Sequence, residues 1–137
     1  MEISASDAVY NLVTNIADNI IELDKGLEQR QYFPVVSANS KQTLAGFYLE
    51  PLPGCCGVVV STGSWIIPEY RGSFGKLFHT LKETVARKLG YSLMLATTEL
   101  RNLPEVIGAS NAKWKHIHTF RNQRTSHDLS LMIKDLT

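Results

Sequence analysis

Ser64-Trp65-Ile66-Ile67-Pro68-Glu69-Tyr70-Arg71-Gly72-Ser73-Phe74-Gly75-Lys76-Leu77 runs on through Phe78-His79-Thr80-Leu81-Lys82-Glu83-Thr84-Val85-Ala86-Arg87-Lys88-Leu89 to Gly90-Tyr91. It reads as the end of an apolar strand, a turn bounded by Pro68, a short Arg-Gly loop and a long amphipathic helix. Gly90 then ends the helix and a new strand begins. A loop of this kind opening a helix presents free backbone N–H groups beside the positive end of the helix dipole, and such a place suits phosphate. A small-molecule site is expected here.

The rest of the chain sets bounds on that expectation. A length of 137 residues suits a single domain spanning 1–137. At that size folding buries roughly two-thirds of the surface of the unfolded chain, enough for a core without staples. A net charge of +1 gives no hint of nucleic acid or membrane. The charge is uneven, however. Residues 1–30 carry six acids against Lys25 and Arg30, a net of −4, which leaves +5 for the remainder. No apolar run reaches membrane-span length, and the N-terminus lacks the basic and apolar regions of a signal peptide. The two cysteines, Cys55 and Cys56, are adjacent. Their Cα atoms, about 3.8 Å apart, are too close for a relaxed disulfide. A disulfide scaffold is therefore excluded, a cytoplasmic location is expected, and the cysteines read as buried or edge-strand structural residues.

Along the chain, Val9, Leu12, Val13, Ile16, Ile20 and Leu23 follow helical spacing, with Ser4 or Ser6 as cap and Gly26 as stop. Tyr32 to Val36 is a short strand that Pro34 confines to an edge. Thr43–Leu49 and Gly57–Ile67 read as antiparallel neighbours around the Pro51–Gly54 turn, with a break at Gly63. In the long helix, Phe74, Leu77, Phe78, Leu81, Val85 and Leu89 form the apolar stripe. Lys76, His79, Lys82, Glu83, Arg87 and Lys88 form the opposite, solvated face. Leu93–Thr97 is a buried strand, and a strand, helix and strand in this order imply a parallel pair. A weaker helix starts at Thr98 and ends at Gly108-Ala109, with Pro104 near its start. Lys113–Phe120 and Asp128–Asp135 read as strands, though the first does not alternate cleanly and a helix is an alternative there.

With W-I-I-P-E-Y-R-G-S-F-G-K-L at its centre, this order of elements resembles the GNAT superfamily of N-acetyltransferases. The family loop reads V-x-P-x-x-R-G-x-G-I-G before its amphipathic helix, and Ile107-Gly108-Ala109 resembles the family's boundary before the last strands. The resemblance implies a mixed α/β (α+β) fold with a largely antiparallel central sheet. A parallel strand pair would flank the long central helix, and helices would lie on both faces. It also implies acetyl-CoA as co-substrate and an amine on a small molecule or protein as acceptor. On this reading Arg71, Gly72, Ser73, Phe74, Gly75 and Lys76 hold the pyrophosphate, while backbone groups of Ile66 and Ile67 align the pantetheine arm. The chain departs from the family loop at one place: Phe74-Gly75-Lys76 stands where a glycine, an aliphatic residue and a small residue are expected. Either one glycine is missing, which leaves the loop one residue short with Phe74 in the aliphatic position, or Phe74 replaces it. No G-x-x-x-x-G-K-[ST] or G-x-G-x-x-G competes with this reading.

Acetyl transfer to an amine needs a proton acceptor, a stabilised oxyanion and an acid for the leaving thiolate. Family members often use a Tyr on the short helix as that acid, and residues 98–109 contain none. Glu50, Glu69, Glu99, His79, His116 and His118 are titratable candidates, but no spacing selects one, so the catalytic residues are left unassigned. His79 falls on the polar side of its helix and is expected in solvent. No metal set emerges. The missing glycine and Tyr also fit a GNAT-like module that binds without catalysis. A third reading takes Lys113, Lys115, Arg121 and Arg124 around Trp114 and Phe120 as a single-stranded nucleic-acid face. The competing reading, a sheet edge with aromatics inward and lysines outward, is preferred. The acceptor and the oligomeric state are not encoded in any motif, and a homodimer is compatible with the sequence.

Overall fold

The computed structural model describes residues 27, 29–36, 41–70 and 75–137. The helix expected between Ser4 and Gly26 lies outside them, as do Arg71 to Phe74. Six strands form one sheet: β1 (Gln31–Val36), β2 (Thr43–Pro51), β3 (Val58–Ile66), β4 (Leu93–Glu99), β5 (Lys115–Arg121) and β6 (Asp128–Asp135). A 3-10 turn at Pro68–Tyr70 leads to helix α1 (Gly75–Lys88), and helix α2 (Leu103–Asn111) follows β4. Across the sheet the order is β1-β2-β3-β4-β6-β5. Every neighbouring pair is antiparallel except β3 and β4, which α1 connects in parallel.

Alternation along the strands decides which side chains α1 covers. Phe47 meets Phe78 of α1 edge-on, with ring centroids 5.8 Å apart, and stacks on its cross-strand partner Phe33. Val35, Ala45, Leu49, Val59, Met94 and Met132 continue that face and are buried. Towards the C-terminal ends of β3, β4 and β6 the same face turns small and polar, at Ser61, Thr98 and Ser130, all buried. The core is therefore greasy at one end and polar at the other.

The long helix stops as its sequence requires. Gly90, at φ 90°, lets Tyr91 N–H reach Ala86 O at 3.1 Å and its own N–H reach Arg87 O at 3.0 Å, a Schellman cap. Helix α2 ends the same way, but with Lys113 rather than glycine in the left-handed conformation (φ 64°). Trp114 N–H then bonds to Ala109 O at 3.0 Å, and the Trp114 side chain is buried, as are Ala109 and Ala112.

Several expectations need correction. The second helix begins at Leu103, because Thr98 and Glu99 still pair with Ser130 and Leu129 in the sheet, and Gly108-Ala109 lies inside the helix. Residues 115–121 are a strand. Their broken alternation has a cause: Ile117 is an extra residue, since His116 faces Met132 and His118 faces the next position, Leu131. Cys55 and Cys56 are free and exposed in the β2–β3 turn, not buried. The two described helices touch each other and so share one face of the sheet. The helix expected between Ser4 and Gly26 is outside the described residues. No described helix is long and apolar enough to cross a membrane.

Candidate active-site cleft

A glycine opens the site. Strand β3 pairs with β4 only from Val58↔Leu93 to Ser61↔Ala96, yet β3 runs on to Ile66 and β4 to Glu99. Opposite β2, Tyr48 faces Thr62 and Gly46 faces Trp65, so β3 holds one residue more than its partner between these pairs. That bulge carries Gly63 at φ 61°. A bulge bends its strand and increases the local twist, and here the bend falls where β3 and β4 part. Gly63 is needed for a second reason: a Cβ there would lie 2.8 Å from the Tyr48 ring.

The parted strands leave a cleft of about 290 Å³. Ser61, Thr62, Gly63 and Ser64 of β3 form one wall, and Ala96, Thr97, Thr98 and Glu99 of β4 the other. His79 and Lys82 of α1, with Asn102, Glu105 and Trp114, close it. Three buried polar atoms of these residues have no hydrogen-bond partner among the described residues: Thr62 Oγ1, His79 Nδ1 and Trp114 Nε1. Unmet buried polar atoms of this kind each cost about 1–3 kcal/mol; the His79 and Trp114 rings meet at the cleft, whereas the Thr62 side chain, paired with Tyr48, lies on the sheet face away from Phe47.

The electrostatics follow from burial. His79 is 3% exposed, against the expectation of solvent. Its Nε2 lies 3.2 Å from Glu105 Oε1. Hydrogen bonding to His79 holds the Glu105 carboxyl below the usual carboxylate range. Burial opposes the shift, and the charge of Lys82 adds to it. An ionised carboxylate only accepts, so His79 carries its hydrogen on Nε2 and, when neutral, presents a lone pair at Nδ1. The Trp114 ring covers His79 at 5.7 Å between centroids. Lys82 is also 3% exposed, and burial pushes it down to about 8, with Glu105 and Glu83 pulling the other way. Its ammonium sits 4.5 Å over the Phe78 ring.

The helical wheel explains why these polar residues are inside. At about 100° per residue, Lys82 falls beside Phe78 and Leu89 on the sheet-facing stripe, and His79, Glu83 and Ala86 take the adjoining flank. That flank is turned to α2 and β6. Glu105 and Trp114 meet His79, and Lys134 lies 3.5 Å from Glu83. Among the residues of α1 whose burial is described, Thr80, Arg87 and Lys88 are exposed and Thr84 is half-buried.

Of the candidates named from sequence, the cleft brings together His79 and Glu99. Both Glu99 oxygens are engaged: Arg101 at 2.7 Å, the main cause of its lowered pKa, and His127 at 3.3 Å. Glu50 is half-buried on β2, Glu69 is exposed in the 3-10 turn, and His118 is exposed on β5. His116 bonds Ser130 through Nδ1. Ile66 pairs with Ala45 at the end of β3, and the Ile67 N–H is bonded to Leu44 O at 2.9 Å. Gly75 and Lys76 begin α1, while Arg71, Gly72, Ser73 and Phe74 fall outside the described residues. Sequence reasoning passed over Thr62, Lys82, Glu105 and Trp114 as cleft residues. A usable signal was the i, i+3, i+4 set His79, Lys82, Glu83 directly beside the apolar stripe. No group of three or more His, Cys, Asp or Glu among the described residues is arranged to hold a metal.

The sequence matches no protein-family model and no curated protein sequence. Solved structures do share its architecture. A spermidine/spermine N-acetyltransferase of Vibrio cholerae, solved with manganese ions, superposes with a TM-score of 0.67 at 14% identity, over 80% of this chain. The present chain spans 66% of that protein's length. A GNAT-family protein of Chromobacterium violaceum superposes at 0.66 with 14% identity, covering 98% of this chain and 80% of its own. A Salmonella typhimurium protein solved with its cofactor acetyl-CoA gives 0.59 at 16%, covering 69% and 59%. The chain has the fold of the GNAT acetyltransferases, in a strongly divergent sequence.

Proposed function

We propose that this protein is an acetyl-CoA-dependent N-acetyltransferase of a single domain, with its thioester site in the cleft between β3 and β4. The observation that carries this reading is the Gly63 bulge where the parallel strands β3 and β4 part, beside which His79 Nδ1 and Trp114 Nε1 are buried with no hydrogen-bond partner among the described residues. The shared fold supports it, since one such protein was solved with acetyl-CoA and another acetylates polyamines. In this reading the Arg71–Lys76 loop takes the pyrophosphate at the start of α1. Main chain at Ile66 and Ile67 guides the pantetheine arm, and the acyl end enters between Thr62 and Thr97.

The acceptor is an amine on a small molecule or protein, and the protein acts in the cytoplasm, alone or as a homodimer. A neutral amine attacks the thioester carbon, the C–S bond breaks, and coenzyme A leaves as the thiol. His79 Nδ1, held by Glu105, accepts the proton that the attacking ammonium must lose. Calorimetry with acetyl-CoA tests the reading: one site per chain is expected, and no heat at millimolar ligand overturns it.

The absence of Tyr from α2 favours a second reading, a fold of this kind that binds without transferring. Binding of acetyl-CoA with no turnover of any amine panel, polyamines included, selects it.

A further inference from the structure

We propose that Lys82 is itself an acetyl acceptor, a modification site inside the cleft. The inference rests on the reading that acetyl-CoA occupies that cleft. Lys82 lines it from the sheet-facing side of α1, across from Ser61, Ala96 and Thr98. Its side chain is nine-tenths buried and more. Among the described residues its ammonium has no ion pair, because the neighbouring carboxylates are engaged elsewhere. Glu105 pairs with His79 at 3.2 Å, and Glu83 with Lys134 at 3.5 Å and Arg87 at 3.8 Å. Its one close partner is the Phe78 ring.

A buried lysine without an anion is poorly held in its charged form, and burial brings its pKa down to about 8. Its neutral amine, the nucleophilic form, is therefore populated near neutral pH, which is not so for a solvated lysine. The groups facing it are His79 and Glu83 on α1, Glu105 on α2, and Glu99 at the end of β4. None of them blocks attack by occupying the nitrogen. The step balances without a further reactant. The Nζ lone pair forms a bond to the thioester carbon, the C–S bond breaks with its electrons on sulfur, and one nitrogen proton ends on the coenzyme A thiol. The product amide removes a cation from the cleft and leaves Glu105 with only His79. Modification would thus report on, and restrict, the site that made it.

The test is incubation of the full chain with acetyl-CoA, followed by proteolysis and mass spectrometry. The expected result is one acetyl group per chain at Lys82, gained about tenfold faster than at exposed Lys88, Lys113 or Lys115, as intramolecular placement requires. The rate rises with pH up to about 8 and then levels. Lys82→Arg removes the modification. Because that variant can misfold, the intact protein is also treated with acetyl phosphate, which lacks the coenzyme. A lysine that is merely reactive is acetylated by both reagents alike, and that result overturns the proposal. Calorimetric binding of acetyl-CoA with Lys82 unmodified overturns this proposal and leaves the proposed function standing. No binding at all overturns both.

Discussion

His79 Nε2 lies 3.2 Å from Glu105 Oε1, joining the long helix to the short one across the cleft. The contact couples two residues on different elements, and its pH behaviour is predictable. Glu105 is depressed in the folded protein by the His79 hydrogen bond, against the opposing effect of burial. A depressed carboxylate contributes stability above its unfolded pKa of about 4, and that contribution is lost as pH falls through the folded value. Wild type should therefore lose stability steeply on acidification, and Glu105→Gln should lose less over the same range. Denaturant melts at pH 3 to 6, roughly spanning the carboxylate range, check this. Equal acid sensitivity of the two proteins contradicts it.

Lys82 predicts a trend of the same sign at high pH. Its folded pKa, about 8, is below the 10.5 of a free lysine. The unfolded chain then binds more protons between those values, so stability rises with pH across that window. Below pH 8 the buried charge costs stability in full. Lys82→Met, which keeps the length and removes the charge, should stabilise the protein by about 2 kcal/mol at pH 7. The gain should shrink as pH climbs above 8, as read by urea midpoints.

Gly63→Ala tests the origin of the cleft. The substitution forces a Cβ into a left-handed backbone and to within 2.8 Å of the Tyr48 ring. A loss of about 1–3 kcal/mol is expected from strain and crowding together. Binding of acetyl-CoA should weaken beyond what the remaining folded fraction explains. A variant with unchanged melting and unchanged affinity would show that the bulge does not shape the site.

Lys113 marks a place where sequence and backbone disagree. It occupies the position after α2 that glycine fills after α1, at φ 64° against 90° for Gly90. Lys113→Gly should stabilise the protein by about 0.5–1 kcal/mol. Thermal melts decide it. The opposite sign would mean that the gain in unfolded-chain entropy outweighs the relief of strain.

These residues also show what could be read from the chain beforehand. The strand–turn–helix–strand order was legible because Gly90, Pro68 and the Phe78–Leu81–Val85–Leu89 stripe each carry a local rule. So was the parallel pair, because a helix between two strands leaves little choice. The interior of the site was not. A polar residue on a helix is read as solvated until the element packed on its flank is known, and α2 and β6 supply that flank only in three dimensions. His79, Lys82 and Glu83 look like an outer face in one dimension and form a buried edge in the fold. Gly63 was visible as a break. Its consequence, the parting of β3 from β4, depends on register with β2.

The central claim is that acetyl-CoA enters the cleft where Trp114 Nε1 is buried with no hydrogen-bond partner among the described residues. The chain has two tryptophans, and they report on opposite faces of the sheet. Trp65 Nε1 donates to Tyr32 OH at 3.2 Å on the face away from α1, whereas Trp114 covers His79 within the cleft. A titration of nitrogen-15-labelled protein with acetyl-CoA, followed at the two indole N–H signals, separates them. The account predicts a saturable shift of the Trp114 signal much larger than that of Trp65. A Trp114 signal that stays in place at saturating acetyl-CoA, or a shift confined to Trp65, would contradict it.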